Sequence, residues 1–126
     1  MPAICCFGIM KINMIKLKTK IWLEKNGKLI FGEGRFRILK EIERTNSISQ
    51  SAVNLHMSFR HAWSYINSIE KNLGVKLLDR TRGGKGGGGS HLTPKAKYIM
   101  REFEALNKAV KQFADKEFKG IFNGKF

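Results

Sequence analysis

Residues 47–73 constrain the fold most, because they contain two helix starts separated by a short break. Ser47 is followed three residues later by Gln50, a spacing typical of a capping box at the start of a helix. Ser58 can cap a second, longer helix, and a tight break is expected near His56-Met57. This order predicts a helix-turn-helix. Apolar residues at helical spacing give the second helix its core face, at Phe59, Ala62, Trp63, Ile66, Ile69 and Leu73.

Polar side chains occupy the opposite face of the second helix. Small hydrogen-bonding groups and cations of this kind can reach base edges in the major groove of DNA. An ordinary amphipathic helix with a solvated polar face is the alternative that the pattern leaves open. The candidate DNA-binding residues are Ser58, Arg60, His61, Ser64, Tyr65, Asn67 and Ser68, with Lys71 on the same side.

The chain is strongly basic, with 24 Lys and Arg against 10 Asp and Glu among 126 residues and a formal net charge of +14. A polyanion would relieve the self-repulsion, so nucleic acid is the first candidate partner and a membrane surface the second. A compositional bias of the genome toward Lys could explain part of the excess. The first apolar run, residues 3–10, is too short to span a bilayer, so no membrane-spanning segment is predicted, and nucleic acid rather than a membrane is the predicted partner.

Cysteine usage and motif content argue against a disulfide scaffold, a metal site and an enzyme. Cys5 and Cys6 are adjacent and have no second pair, which predicts a reducing, cytoplasmic location. The three histidines show no ligand spacing with the cysteines, so no metal or other cofactor is predicted. The chain contains no phosphate-binding loop and no acid–base pair in a recognisable context, so it is not predicted to be an enzyme.

A β-hairpin is predicted ahead of the helices, because Asn26-Gly27 lies between two apolar runs. A type I′ turn needs positive φ at both central residues, which Asn and Gly tolerate. The two-residue loop would pair Trp22 with Phe31 and Leu23 with Ile30.

Two short helices are predicted between the hairpin and the break. The first covers residues 35–45 and ends at Asn46 in the left-handed conformation. The second covers residues 48–55. Arg35 and Ser49 lie outside the core and are candidate contacts to the DNA backbone. The core residues of the two helices are Phe36, Ile38, Leu39, Ile42, Ile48, Ala52, Val53 and Leu55.

A glycine-rich wing is predicted after the second helix of the motif. Residues 75–80 and 90–92 suit short strands, and residues 83–89 between them are almost all glycine. Residues 86–90 also match a common laboratory linker, which is the alternative. The flanking segments continue as one ribbon, which favours a wing whose cations Arg80, Arg82 and Lys85 meet phosphates or the minor groove.

The last predicted helix opens at Thr93-Pro94, with Thr as N-cap and Pro at the first position. Its apolar residues recur every 3.5 positions on average, which is typical of a coiled-coil seam. Pairing with the same helix of a second copy is the preferred interpretation, and folding back on its own hairpin is the alternative. The candidate dimer interface consists of Ile99, Phe103, Leu106, Val110 and Phe113.

Several segments together resemble the DNA-binding half of the molybdate-responsive transcriptional regulators, the ModE family. They are Leu23-Glu24-Lys25-Asn26-Gly27, Phe31-Gly32-Glu33-Gly34-Arg35, Ser47-Ile48-Ser49, Met57-Ser58-Phe59-Arg60-His61-Ala62-Trp63, the glycine run 83–88 and Leu92-Thr93-Pro94. The resemblance extends over about residues 22–98. A looser similarity to LysR-type regulators lies in residues 73–80.

The resemblance implies a sequence-specific regulator that binds a palindromic operator in double-stranded DNA as a homodimer. Phe59 and His61 stand where the family often has Tyr and Arg, so the operator preference is expected to differ. The family senses molybdate through downstream domains, and the given sequence ends at Phe126, so molybdate is not expected to bind this chain. A non-specific architectural DNA-binding protein is the alternative, because the charge alone would suffice for it.

The predicted fold is mainly α with a small amount of β. It is a winged helix-turn-helix with a three-helix core, an N-terminal β-hairpin and a two-stranded glycine-rich wing, followed by a long C-terminal dimerisation helix. The predicted organisation is a basic, poorly ordered lead-in at 1–19, the winged helix at 20–93, the dimerisation helix at 94–118 and a tail at 119–126.

Overall fold

The computed structural model describes residues 15–81 and 89–122, so the predictions for residues 1–14, Arg82, Lys85 and 123–126 lie outside the described residues. One compact unit comprises Ile21–Ala105, and a second contains the chain from Leu106 onward. Within the described ranges, no helix is both long and apolar enough to cross a membrane. The elements are β1 (Trp22–Lys25), β2 (Lys28–Gly32), α1 (Glu33–Thr45), α2 (Ile48–Asn54), α3 (Phe59–Leu73), β3 (Leu78–Thr81), β4 (Gly89–Leu92) and α4 (Pro94–Phe122).

The β1–β2 hairpin has the predicted turn. Asn26 and Gly27 have φ values of 53° and 76°, so both central residues are left-handed, as a type I′ turn requires.

The predicted pairing of Trp22 with Phe31 and of Leu23 with Ile30 is wrong. Trp22 lies opposite Gly32, and Leu23 lies opposite Phe31, because a bulge next to Leu23 shifts the register by one residue. A regular strand points neighbouring side chains to opposite faces. The extra residue is Ile30 of β2, and Ile30 and its neighbour Phe31 are both buried.

Helix α1 begins at Glu33, two residues before the predicted start, and supplies the centre of the core. Ile38, Leu39 and Ile42 are fully buried, whereas Phe36 is only partly buried. The helix ends as predicted at Asn46, which is left-handed.

The start of α2 is only half of the predicted capping box. Ser47 Oγ accepts a hydrogen bond from the Gln50 backbone N–H at 3.0 Å. The Gln50 side chain does not return to Ser47 but donates to Asn54 Oδ1 at 2.9 Å. The Ser47 N–H instead donates to Thr45 Oγ1 at 3.2 Å.

Val53 of α2 was wrongly assigned to the core. Its side chain is 66% exposed, while Ser51 and Ala52 are buried. Each residue of an α-helix is rotated about 100° from the last, so packing through Ser51 and Ala52 turns Val53 outward. The buried Ser51 hydroxyl is satisfied by Thr45 Oγ1 at 2.9 Å.

The break between α2 and α3 is a Schellman turn with a histidine in the position that glycine usually takes. His56 has φ 58°, and its N–H donates to the Val53 carbonyl at 3.1 Å. The Met57 N–H donates to the Ala52 carbonyl at 2.9 Å, which completes the pattern of the motif. Met57 then packs against the core.

Replacing His56 by glycine is expected to raise the free energy of unfolding by about 0.5–1 kcal/mol. Glycine removes the steric cost of a left-handed L-residue, and part of that gain is offset by the greater freedom of the unfolded chain. Urea denaturation measures the effect. His56→Ala is the matched control, because it keeps the β-carbon and should bring no gain. A glycine variant less stable than the alanine variant would contradict this explanation.

Helix α3 begins and ends as predicted. Ser58 Oγ accepts from the His61 N–H at 3.0 Å, and Gly74 ends the helix with φ 65°. Ala62, Ile66 and Ile69 are fully buried. Phe59 was wrongly placed on the core face, because it lies in the first turn, where its side chain is 52% exposed.

The wing strands β3 and β4 are antiparallel, with the buried Leu78 opposite the buried Leu92. β4 is fixed to the end of α1, because the Ser90 N–H donates to the Asn46 carbonyl at 3.0 Å. His91 Nδ1 also lies 3.2 Å from Asn46 Oδ1.

The first wing strand begins at Leu78 rather than at residue 75. The Leu77 N–H donates to the Glu70 carboxylate of α3 at 2.8 Å. The Leu77 carbonyl accepts from the Thr93 N–H at 2.9 Å. These bonds hold the segment before β3 against its neighbours without a strand ladder.

Helix α4 starts at Pro94 with Thr93 as its cap, as predicted, since Thr93 Oγ1 accepts from the Ala96 N–H at 3.1 Å. It runs to Phe122, four residues past the predicted end. The rings of Phe118 and Phe122, one turn apart, lie 5.0 Å from each other and favour the extra turn.

Phe103 was wrongly assigned to the dimer interface, because it belongs to the core of the winged-helix unit. It is 4% exposed, and its ring meets Phe31 edge-on at 4.9 Å and Phe36 at 5.7 Å. The first part of α4 therefore packs on its own hairpin and not on a second copy of the chain. Leu106 and Phe113 remain exposed, and Ile99 is partly buried.

Candidate nucleic-acid interface

Four polar residues form an exposed stripe along α3, opposite its buried face. Arg60, Ser64, Asn67 and Lys71 are all exposed and recur at intervals of three or four residues. That spacing places them on one side of the helix. The stripe therefore offers two cations and two small hydrogen-bonding groups that a groove of DNA can accommodate.

Tyr65 lies at the flank of the stripe and not within it. Its ring is partly buried, meets the His61 ring edge-on at 4.6 Å and lies under the Arg35 guanidinium, whose Cζ is 4.6 Å from the ring centroid. Arg35 comes from α1, so the structure brings together three predicted residues from two helices. We call Arg35, His61 and Tyr65 the flank cluster.

Two of the predicted recognition residues have structural hydrogen bonds. Ser58 caps α3 through its side-chain oxygen. Ser68 is partly buried and accepts from Asn72 Nδ2 at 3.4 Å. Both hydroxyls therefore help to fix the helix that carries the stripe.

A polar network between α1 and α2 was not predicted from the sequence. Glu41 pairs with Arg44 and accepts from Asn54 Nδ2 at 2.7 Å. The Arg44 guanidinium, and after it the Asn54 amide, lower the pKa of Glu41 below its ordinary value. The spacing of Glu41 and Arg44 indicates an ion pair, but nothing local in the sequence indicates the contact to Asn54 on the next helix.

The remaining predicted backbone contacts are not brought together. Ser49 is exposed in the first turn of α2. Arg80 lies in β3 opposite Ser90. Arg82 and Lys85 belong to the segment outside the described residues.

The architecture is similar to that of solved winged-helix proteins. The crystal structure of the CbnR_DBD–DNA complex matches with a TM-score of 0.55 at 17% identity, over 70% of this chain and 95% of that one. Vibrio fischeri DarR in complex with DNA matches with a TM-score of 0.50 at 20% identity, over 68% of this chain and 29% of that one. At these identities the likeness shows the fold.

Curated relatives are similar at higher identity. The transcriptional regulator ModE of Haemophilus influenzae is 38% identical over 74 residues, which are 59% of this chain and 29% of that protein. The DNA-binding transcriptional dual regulator ModE of Escherichia coli K12 is 34% identical over 84 residues, 67% of this chain and 32% of that protein. The chain therefore matches about a third of the length of these relatives.

A family model gives the assignment. Residues 34–97, about half of the chain, match the bacterial regulatory helix-turn-helix protein model of the lysR family. The match begins in α1 and continues through the helix-turn-helix and both wing strands into α4. The chain therefore belongs to the lysR family of bacterial regulatory helix-turn-helix proteins, and its winged-helix domain is of the ModE type.

Proposed function

We propose that the chain is a sequence-specific DNA-binding transcriptional regulator that acts as a homodimer and has no catalytic role. The observation that carries the proposal is the stripe of Arg60, Ser64, Asn67 and Lys71 on the second helix of a helix-turn-helix. The net charge of +14 supports a polyanionic partner. The names of the relatives, as DNA-binding and transcriptional regulators, agree with it.

In this proposal α3 enters the major groove and the stripe reads base edges. Ser58 supports α3 as its cap and Ser68 through its hydrogen bond with Asn72, while His61 lies beside the stripe. Phosphate contacts by Arg35, Ser49, Arg80, Arg82 and Lys85 set the register and carry no sequence information.

The homodimer is proposed to form through the second half of α4. Leu106 and Phe113 are 46% and 67% exposed, and Val110 lies between them at seam spacing. Apolar side chains in a regular 3.5-residue repeat are typical of helices that pair. Ile99, one seam position before Phe103, would lie at the edge of the interface. A two-fold dimer would read a palindromic operator.

Selection from random duplexes at about 0.15 M salt tests the proposal, with the mass of the protein in solution measured in parallel. Enrichment of a palindrome by a dimer is the expected outcome. Binding without enrichment would favour the architectural alternative, for which the high charge is the supporting observation.

Lys85→Ala is expected to weaken binding to all duplexes alike, because a wing cation that meets a phosphate reads no sequence. Loss of one phosphate contact per protomer should flatten the plot of log affinity against log salt by about 0.9 unit for each contact, about 1.8 units for a bound dimer. Fluorescence anisotropy titrations at several salt concentrations measure the slope. An unchanged slope would remove Lys85 from the interface.

A further inference from the structure

The Tyr65 ring projects from α3 against α1, so it is not free to enter a groove. A β-carbon at Gly34 of α1 would lie 3.5 Å from Tyr65 Cε2, so the backbone of α1 passes directly against the ring. The ring also packs against the hydrophobic core and meets His61 edge-on. With these neighbours, the ring offers a rigid aromatic face toward α1.

Arg35 lies on that face and its charge is not neutralised there. Its Cζ is 4.6 Å from the ring centroid, a cation–π distance. Among the residues that the structure describes, its Nε is buried without a hydrogen-bond partner, and no carboxylate pairs with it. By contrast, Arg37 on the same helix lies 3.8 Å from Glu33.

A guanidinium held by its face still has donors along its edge. The Arg35 Nε–H is buried, so the donors left for an anion are those of the two terminal nitrogens, which lie in the guanidinium plane and are not covered by stacking on the ring. A helix that lies in a groove has a phosphate backbone along each flank. The flank of α3 is where the cluster places Arg35.

We propose that Tyr65 is a positioning residue that holds the Arg35 guanidinium beside α3 so that it binds a phosphate of the DNA backbone. The inference rests on the proposed function for the entry of α3 into a groove. Tyr65 then acts through Arg35 and reads no base. The phosphate contact contributes equally on every sequence.

The test compares Arg35→Gln, Tyr65→Leu, their combination and Tyr65→Phe on a random-sequence duplex over a range of salt. Arg35→Gln and Tyr65→Leu should each lower the salt slope by about 0.9 unit per protomer, about 1.8 units for a bound dimer, and weaken binding at least about three- to tenfold. The double variant should bind DNA no more weakly than the single variant with the lower affinity, because both changes remove the same contact. Tyr65→Phe keeps the ring and should bind like the parent chain.

Arg37→Gln is the matched control, since it also removes one positive charge from α1 but leaves Arg35 in place over the Tyr65 ring. Its slope should stay close to that of the parent chain. The inference would be overturned if the double variant lost affinity by the product of the two single losses. It would also be overturned if Arg37→Gln lowered the salt slope as much as Arg35→Gln, or if Tyr65→Phe weakened DNA binding. Thermal unfolding checks each variant, and Tyr65→Met replaces Tyr65→Leu if the latter does not fold.

The result is separable from a failure of the proposed function. Phosphate contacts are measured on random DNA, where sequence preference plays no part. If the chain preferred no DNA sequence, the proposed regulatory function would be wrong, but the salt slopes of the variants could still be compared. A strong operator preference with unchanged slopes would overturn only the role of Arg35 and Tyr65.

Discussion

Arg60→Ala is expected to weaken binding to the selected operator by about 1–3 kcal/mol while binding to random DNA changes much less. Arg60 lies in the first turn of α3, is exposed and leads the stripe opposite the buried Ala62 and Ile66. An arginine there can donate two hydrogen bonds to a guanine, and its loss leaves those acceptors unpaired.

The operator and random-sequence affinities of the Arg60 variant are measured by titration at one salt concentration. Arg101→Ala on α4, an exposed cation next to Tyr98, is the control and should change neither affinity by much. Equal losses on operator and random DNA would make Arg60 a phosphate contact instead of a base contact.

Phe103→Ala is expected to lower the free energy of unfolding by about 3–5 kcal/mol. The ring is buried between Phe31 of the hairpin and Phe36 of α1, so truncation leaves a cavity and removes two aromatic contacts. Urea denaturation measures the loss. An unchanged slope of unfolding free energy against urea concentration indicates that the unfolding transition is otherwise the same.

Phe113→Ala makes the same chemical change on the same helix at a side chain that is 67% exposed. It should change the unfolding free energy of the winged-helix unit by less than about 0.5 kcal/mol. If the second half of α4 forms the dimer, the variant should instead weaken self-association, which sedimentation measures. A large stability loss in Phe113→Ala, or a small one in Phe103→Ala, would contradict the division of α4 between core and interface.

Local signals predicted most of the architecture because they depend on a few neighbouring atoms. Ser47, Ser58 and Thr93 each accept the cap bond that their positions predict. Asn26-Gly27 and Gly74 adopt the left-handed conformation that their small or polar side chains permit. These features fix the ends of the helices and the hairpin turn, and with them the order of the elements.

The errors lie where a contact with a distant part of the chain decides. Phe103 fits a heptad seam by spacing, but the hairpin residue Phe31, far away in sequence, covers it. The bulge opposite Leu23 allows two adjacent residues of β2 to be buried, whereas the alternation of side chains along a regular strand predicts that only one of them is. Phe59 has the period of a core residue, but it lies in the first turn of α3, which extends beyond the packed centre of the helix.

The candidate site divides in the same way. The stripe on α3 follows from helical period alone, so Arg60 and Ser64 were predicted correctly to be exposed. The role of Tyr65 did not follow, since its contact with Arg35 depends on how α1 crosses α3 and on the missing β-carbon at Gly34.

The ratio of best-site to random-DNA affinity at matched salt tests the central claim most directly. A regulator that reads sequence through α3 should bind its selected palindrome at least about 10³-fold more tightly than random duplex at physiological salt. A ratio near one, with strong binding to both at low salt, would contradict the account and identify a protein that binds DNA through charge alone.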